Sequence, residues 1–365
     1  MTTTIPPAET KVQEGPSRAK KGYRVIDADA HENIESFEEV LPWLDEKWHR
    51  HILEYGMAKF FDQPKPFTKV GTGEPFEGGS QHCSVELFER DLLGACGVDV
   101  AIINNAVHQF APKEGWIEVW TAIAHAYNDW QIEKWLNGRP RIRGSVNVMP
   151  HDPLVAAREI DRVAEHPQIV QVALPVVNTR LYGEPMYHPI FEAAERNGLV
   201  IAMHHGAATQ GAIGYGRYFL EWHTTMPQAM QCQIVSMVVN GVFDKFPDLR
   251  VVGLESGFSW MPALASRLDR QYEMFRPEVP WVKRKPSEHM REKVRLATQP
   301  MEDFTAKHLM NLMDWMGGDE WILFASDYPH YDGDMPSETL PAGLPEDVTR
   351  KILSENAVNT YPRVD

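Results

Sequence analysis

The chain alternates short runs of apolar or β-branched residues with longer segments whose apolar residues recur at helical spacing. Short apolar runs bounded by polar positions are typical of buried strands, and a recurrence about every 3.6 residues predicts helices. Eight strands are predicted in this way, at Tyr23–Ile26, Val98–Asn104, Arg143–Val148, Ile169–Leu174, Leu199–His204, Arg250–Glu255, Val294–Thr298 and Trp321–Asp327. The segments between them predict helices, including one long helix from Met226 to Phe246.

This regular alternation predicts a (β/α)8 TIM barrel that forms a single domain over residues 23–365. An open doubly wound sheet is the alternative, but a nucleotide role there needs a glycine-rich turn after the first strand, and Asp27 to His31 contains no glycine. The segment Gly56–Ser84 holds several Gly and Pro residues and predicts a long loop excursion over the barrel mouth after the first strand. Residues 1–22 are polar, lack the apolar stretch of a signal peptide and predict a disordered tail.

Composition excludes some functions without identifying one. Of the 365 residues, 43% are hydrophobic and 24% are charged, as in a soluble globular protein. The formal charge of −15 argues against a nucleic-acid partner. The three cysteines are widely spaced, so neither a disulfide framework nor a paired-cysteine metal site is expected. No apolar run is long enough to cross a membrane. We therefore expect a cytoplasmic protein with a small-molecule substrate and neither a nucleic-acid nor a membrane partner.

The segment after the first predicted strand carries two acids and a histidine. Because side chains two apart on an extended chain point to the same side, Asp27, Asp29 and His31 are expected to share one face. Oxygen and imidazole donors suit zinc, manganese or iron. A hydrogen-bonded Asp–His pair that closes a strand explains this motif equally well when it is taken alone.

His204, Glu255 and Asp327 end the predicted fifth, sixth and eighth strands. Active sites of TIM barrels lie at the carboxyl ends of the strands, so this convergence with the first-strand motif predicts one metal or catalytic site. Each residue also has a structural explanation. His204 could be a core histidine, Asp327 could cap the following turn, and Glu255 could pair with Arg267. A carboxylate at the end of an apolar strand is nevertheless costly without a partner or a metal.

Four further residues near the predicted strand ends are candidate substrate contacts. Asn104 ends the second strand, Tyr328 and His330 follow Asp327, and His223 lies just before a helix. Loops at a barrel mouth carry much of the function of such folds. Packing beside the helix terminus is the simpler explanation for His223.

Three stretches together resemble the amidohydrolase superfamily: Val25–His31, Met203–Gly206 and Phe324–His330. The most similar branch is the one typified by aminocarboxymuconate semialdehyde decarboxylase, whose usual lead into the sixth strand matches Asn240–Arg250. The resemblance implies a homodimeric barrel that acts on a small carboxylated aromatic or dienoic substrate. It also implies one divalent ion, zinc or manganese, whose ligands are Asp29, His31, His204 and Asp327. Asp29 replaces the first histidine of the His-x-His form, which favours manganese.

The sixth strand departs from the pattern of this branch, because Glu255 stands where a catalytic histidine is usual. Our first hypothesis is a hydrolase in which a metal-activated water attacks the substrate and Asp327 or Glu255 takes the proton. The alternative is a non-oxidative decarboxylase, or carboxy-lyase, that uses the same ligands and delivers a proton to carbon. A third hypothesis is a catalytically silent barrel that binds a ligand and holds no stoichiometric metal.

Overall fold

The structure is a computed structural model that describes residues 22–32, 34, 37–54, 84–104, 117–205, 218–330 and 333–365. The predicted tail, except Gly22, and the predicted loop excursion, except Ser84, lie outside these residues. Both therefore stay predictions, as does the division of the chain into a tail and a single domain.

Eight parallel strands follow one another around a barrel in chain order. They are β1 (Ile26–Ala30), β2 (Val100–Ile103), β3 (Ile142–Asn147), β4 (Ile169–Pro175), β5 (Val200–His204), β6 (Val251–Gly253), β7 (Val294–Ala297) and β8 (Ile322–Leu323). The residues that follow β8 close the barrel against β1. Asp327 N–H donates to the Asp29 carbonyl at 2.8 Å, and Ala30 forms a parallel bridge with Tyr328. The (β/α)8 TIM barrel predicted from the alternation is confirmed.

Helices occupy most of the connections between the strands. The α-helices span Glu46–Leu53, Val85–Phe88, Ile117–Gln131, Pro153–Val163, His188–Arg196, Phe219–Thr225, Pro227–Val239, Val242–Lys245, Met261–Phe275, Pro286–Lys293, Ala306–Met316, Glu346–Arg350 and Asn356–Thr360. Single π-helical segments lie at Glu89–Ala95, Ile132–Leu136 and Lys351–Glu355, and 3₁₀ turns lie at Phe37–Trp43, Pro185–Tyr187 and Arg276–Glu278. In the described part of the chain, no helix combines the length and apolar character that a membrane crossing requires.

The barrel interior is filled by alternate strand residues. Val200 and Ala202 of β5 and Leu323 and Ala325 at β8 belong to one small buried cluster, separate from the larger cluster between strands and helices. The same alternation continues along β5 to His204. The pleat therefore directs the His204 side chain toward the barrel axis at the carboxyl end of β5.

β1 begins later and ends later than predicted. The apolar pattern ends at Ile26, but the strand runs from Ile26 to Ala30 and takes in two acidic residues. Asp27 Oδ1 accepts from the backbone N–H groups of Ser326 (2.9 Å) and Asp29 (3.1 Å), which compensates its burial. Burial nevertheless raises the pKa of Asp27 to about 7. The pairing register shifts between Asp27 and Ala30, and among the described residues Asp27 is not in the group of donor atoms that Asp29 and His31 join.

The long helix predicted over 226–246 is two helices, Pro227–Val239 and Val242–Lys245. Gly241 separates them with a φ of +72°, a left-handed conformation that α-helices of L-residues do not contain. The apolar spacing continues across the break, which is why periodicity alone does not reveal it.

We expect Gly241→Ala to lower the free energy of unfolding by more than the roughly 1–2 kcal/mol of a left-handed Ala alone. A Cβ here would lie 2.7 Å from Trp281 Cδ1, and the Trp281 indole N–H is held at 2.8 Å by the Val239 carbonyl. Gly138→Ala is the matched control, because Gly138 has a φ of +81° and no atom of the described residues lies within 4 Å of the added Cβ. Urea unfolding compares the two variants, and equal losses would contradict the role of Trp281.

Candidate metal centre

Asp29 and His31 bring a carboxylate and an imidazole to the end of β1. His31 Nδ1 donates to the Asn104 carbonyl at 2.6 Å, because a carbonyl can only accept, and this leaves Nε2 directed at the other site residues. Asp29 Oδ1 lies 3.7 Å from His31 Nε2 and accepts from the Asn104 amide at 2.8 Å. Both side chains are buried, so their donor atoms are fixed in direction.

His204 faces this pair from the end of β5. Its Nε2 lies 3.5 Å from Asp29 Oδ2, while its Nδ1 donates to the His205 carbonyl. Asp29 Oδ2 is buried, and among the described residues it has no hydrogen-bond partner. The imidazole and the carboxylate therefore point at each other across a distance that a bound ion can bridge.

Asp327 completes the group in the segment after β8. Its φ of +57° turns the carboxylate inward, where Oδ1 lies 2.8 Å from His31 Nε2 and 2.7 Å from His330 Nδ1. The core-histidine and helix-cap explanations offered for His204 and Asp327 do not account for this convergence. Left-handed non-glycine residues are uncommon, and they cluster at functional sites.

Glu255 enters the same group from the end of β6. Its φ is +46°, and its Oε1 lies 3.6 Å from His204 Nε2 and 3.8 Å from both His31 Nε2 and His330 Nδ1. Within the described residues its ion-pair neighbours are these histidines rather than Arg267. The carboxyl therefore lies beside the predicted ligands, as the strand-end argument expects.

The loop after Glu255 is held by two neighbouring side chains. Glu302 Oε1 accepts from the backbone N–H groups of Phe258 (3.1 Å) and Ser259 (3.0 Å). The Trp260 indole donates back to the carbonyls of Ser256 and Gly257, at 2.9 and 3.1 Å. These contacts hold the backbone of residues 256–260, which directly follow Glu255.

The group concentrates negative charge in a buried volume. Burial alone lowers the pKa of His204, but Glu255 and Asp29 outweigh it and raise that pKa to about 10. Burial, with Asp327 adding to it, raises the pKa of Glu255 well above its usual range. Burial also acts to raise the pKa of Asp327, yet His330 and His31 bring it well below its usual range. Three carboxylates around His31 and His204 are therefore stabilised by an added cation.

The donor set fits a divalent metal ion. Two overlapping groups bring one donor atom from each member within 4.8 Å of one another: Asp29, His31 and His204, and His31, Glu255, Asp327 and His330. Carboxylate oxygens and imidazole nitrogens are ligands for manganese and zinc, and zinc lies about 2.0–2.2 Å from such donors. Donors around one such ion are separated by roughly the 2.8–3.8 Å seen here.

The four predicted substrate contacts lie in different surroundings. His330 lies in the ligand group, and its side chain is 35% exposed. The Asn104 amide is hydrogen bonded to Asp29. The Tyr328 hydroxyl donates to Asp91 Oδ2 at 3.4 Å. His223 lies near His205, whose pKa is lowered to about 3 by burial, with His204 and then His223 adding to the effect. Contact with substrate stays a prediction for all four.

Sequence reasoning missed Ser145 and Gln171, which lie behind Asn104. Gln171 Nε2 donates to Asn104 Oδ1 at 2.5 Å, Ser145 Oγ lies 2.7 Å from the same oxygen and 2.8 Å from the Ile103 carbonyl, and both residues are fully buried. A signal was present for Gln171, since it is a polar residue inside an otherwise apolar predicted strand. In a barrel strand such a residue must find a polar partner.

The chain is similar to proteins of one family. A family model described as Amidohydrolase matches residues 96–363. The 2-amino-3-carboxymuconate-6-semialdehyde decarboxylase of Dictyostelium discoideum is 28% identical over 187 residues, and the match spans 50% of this chain and only 50% of that relative.

Solved structures of decarboxylases share the fold. The 5-carboxyvanillate decarboxylase of Sphingomonas paucimobilis is 22% identical with a TM-score of 0.66, over 93% of this chain and 99% of that one. The dihydroxybenzoic acid decarboxylase of a Polaromonas species, crystallised with manganese and the inhibitor 2-nitroresorcinol, is 18% identical with a TM-score of 0.62, over 93% and 96%. The family model covers well over half of the sequence, and the chain therefore belongs to the amidohydrolase family.

Proposed function

We propose that this chain is a divalent-metal-dependent decarboxylase of a small aromatic or dienoic carboxylic acid. The observation that carries the proposal is the convergence of Asp29, His31, His204 and Asp327, with the Glu255 carboxyl beside them. The relatives support this choice, since their names state decarboxylation of aminocarboxymuconate semialdehyde, 5-carboxyvanillate and dihydroxybenzoic acid.

Asp29, His31, His204 and Asp327 would hold the ion. When bound, it supplies positive charge that binds the substrate carboxylate and a neighbouring oxygen. Two carboxylates in the set favour manganese over zinc, and manganese is the ion of the Polaromonas structure. The Asn104 carbonyl fixes the tautomer of His31, so that Nε2 is the available donor.

Decarboxylation breaks the bond between the substrate carbon and its carboxyl carbon. Carbon dioxide leaves, the electron pair stays on the substrate carbon, and that carbon takes up one proton. Glu255 is placed to deliver the proton, since its carboxyl lies beside the ligands and its side chain is 15% exposed. His330, whose Nδ1 lies 3.8 Å from Glu255 Oε1, connects this carboxyl with solvent and can return the proton.

Hydrolysis, our first hypothesis from the sequence, is the second candidate. The observation in its favour is Glu255 itself, because a carboxylate in place of the usual histidine could take a proton from an attacking water. The relatives named above favour decarboxylation instead.

The homodimer and the cytoplasmic location stay predictions. Sedimentation velocity tests the homodimer.

Isotope labelling separates the two reactions. The manganese-loaded protein is offered aromatic and dienoic acids in D2O, and esters, amides and lactones of similar size in water labelled with ¹⁸O. Decarboxylation releases carbon dioxide and leaves one deuterium on the carbon that carried the carboxyl. Incorporation of ¹⁸O into a cleaved substrate, without carbon dioxide from any acid, would overturn the proposal. His204→Ala, measured in parallel, controls for contaminating activity.

Metal binding is expected to stabilise the fold. An ion that binds only the folded chain adds roughly 2.7 kcal/mol at about 100 times its dissociation constant, so the Tm should rise by a few degrees with manganese or zinc and fall again with chelator. Differential scanning calorimetry measures the change. In His204→Ala the shift should largely disappear. No shift with either ion, together with no metal by elemental analysis, would favour the catalytically silent barrel.

A further inference from the structure

We propose that Asn104 is a positioning residue for the metal ligands of β1, and that Gln171 and Ser145 set its orientation through a hydrogen-bond relay across four strands. This inference rests on the proposed function, because it concerns how tightly the site holds its ion. The relay runs from β4 through β3 to the end of β2 and ends on Asp29 in β1.

Asn104 contacts both ligands of β1 with different groups. Its side-chain Nδ2 donates to Asp29 Oδ1 at 2.8 Å and to the Ala28 carbonyl at 3.2 Å. Its backbone carbonyl accepts from His31 Nδ1 at 2.6 Å. One residue therefore orients the carboxylate and also selects the histidine tautomer whose Nε2 is free to bind an ion.

Gln171 and Ser145 determine the direction of the Asn104 amide. Gln171 Nε2 donates to Asn104 Oδ1 at 2.5 Å and to Ser145 Oγ at 3.0 Å, and Ser145 Oγ lies 2.7 Å from the same Oδ1. Because the Gln171 amide donates to Oδ1, the NH2 group must face the two acceptors, Asp29 and the Ala28 carbonyl. A reversed amide would place oxygen against the Asp29 carboxylate.

Gln171 takes part in the relay through its amide nitrogen alone. Its Oε1 is buried and has no hydrogen-bond partner among the residues that the structure describes. A buried acceptor without a donor is unfavourable, so the contacts of Nε2 determine the orientation of this side chain. Gln171 reaches the ligands only through Asn104, which allows its effect to be tested without altering a ligand.

The test measures the manganese dissociation constant by electron paramagnetic resonance of the free ion. Replacement of residues that orient metal ligands typically weakens affinity by about 10–100-fold. We expect about 10-fold for Gln171→Leu and about 100-fold for Asn104→Asp, whose carboxylate cannot donate to Asp29. Asn128→Ala is the control. It removes a buried amide that binds the Asn147 backbone at 2.8 and 3.0 Å on β3, and it should lower the Tm with the dissociation constant unchanged.

The outcomes separate the relay from the proposed function. Manganese affinities of Gln171→Leu and Asn104→Asp equal to wild type would overturn the relay and leave the metal site standing. A wild-type chain that binds neither manganese nor zinc would overturn the proposed function and the relay with it. If Asn104→Asp does not fold, Ser145→Ala replaces it, because it removes one contact to Asn104 Oδ1 and should weaken manganese binding less than Gln171→Leu.

Discussion

Asp327→Asn is expected to lower kcat by more than about 100-fold and to weaken metal binding by at least as much, since removing a ligand costs more than removing the group that orients one. Asp327 Oδ1 lies 2.8 Å from His31 Nε2 and 2.7 Å from His330 Nδ1, so one carboxylate contacts both histidines. An asparagine carries no charge to hold a cation there.

The substitution is chosen so that the backbone tolerates it. Asp327 has a φ of +57°, and asparagine is among the residues most often found in this region. Asp319→Asn is the matched control, because Asp319 precedes β8 at the opposite end of the strand and forms an ion pair with Lys351. Steady-state kinetics and metal analysis of both variants decide the matter. An Asp327→Asn enzyme with full metal content and normal kcat would remove Asp327 from the site.

The strand–helix alternation was sufficient to predict the barrel, because each strand of a closed parallel sheet is buried on both faces and appears as an apolar run. The positions at which the strands end were harder to predict from the sequence. Asp27 and Asp29 belong to β1 although acidic residues are rare in strands, since hydrogen bonds inside the barrel compensate their burial. Gly241 interrupts a continuous apolar pattern for a backbone reason that side-chain periodicity does not record.

The candidate ligands could be predicted from chain position, because parallel strands deliver their carboxyl ends to one face. Their relative geometry could not. Glu255 and Asp327 both have left-handed backbones, and tertiary contacts lie beside each: Glu302 binds Phe258 and Ser259 after Glu255, and the Asp327 N–H donates to the Asp29 carbonyl. The relay behind Asn104 likewise joins residues far apart in sequence.

Glu255→Gln is expected to reduce kcat by about 10²–10⁴-fold, the usual contribution of a positioned general acid or base. Glutamine has nearly the same shape and the same backbone preferences, so the backbone strain at the φ of +46° stays the same. Its amide cannot deliver a proton to the substrate carbon. We expect the metal content of this variant to stay close to that of wild type, because Asp29, His31, His204 and Asp327 remain.

Metal content is also what tells the two roles of Glu255 apart. Its Oε1 lies 3.6 Å from His204 Nε2 and 3.8 Å from His31 Nε2, spacings that a fifth ligand of the same ion would also show. If Glu255→Gln loses the ion together with activity, Glu255 is a ligand and the proton must come from another group, with His330 the nearest candidate. Glu302→Gln is the control, since its oxygen can still accept from Phe258 and Ser259. A large loss of kcat in that variant would mean that loop position, rather than proton transfer, explains the effect at Glu255.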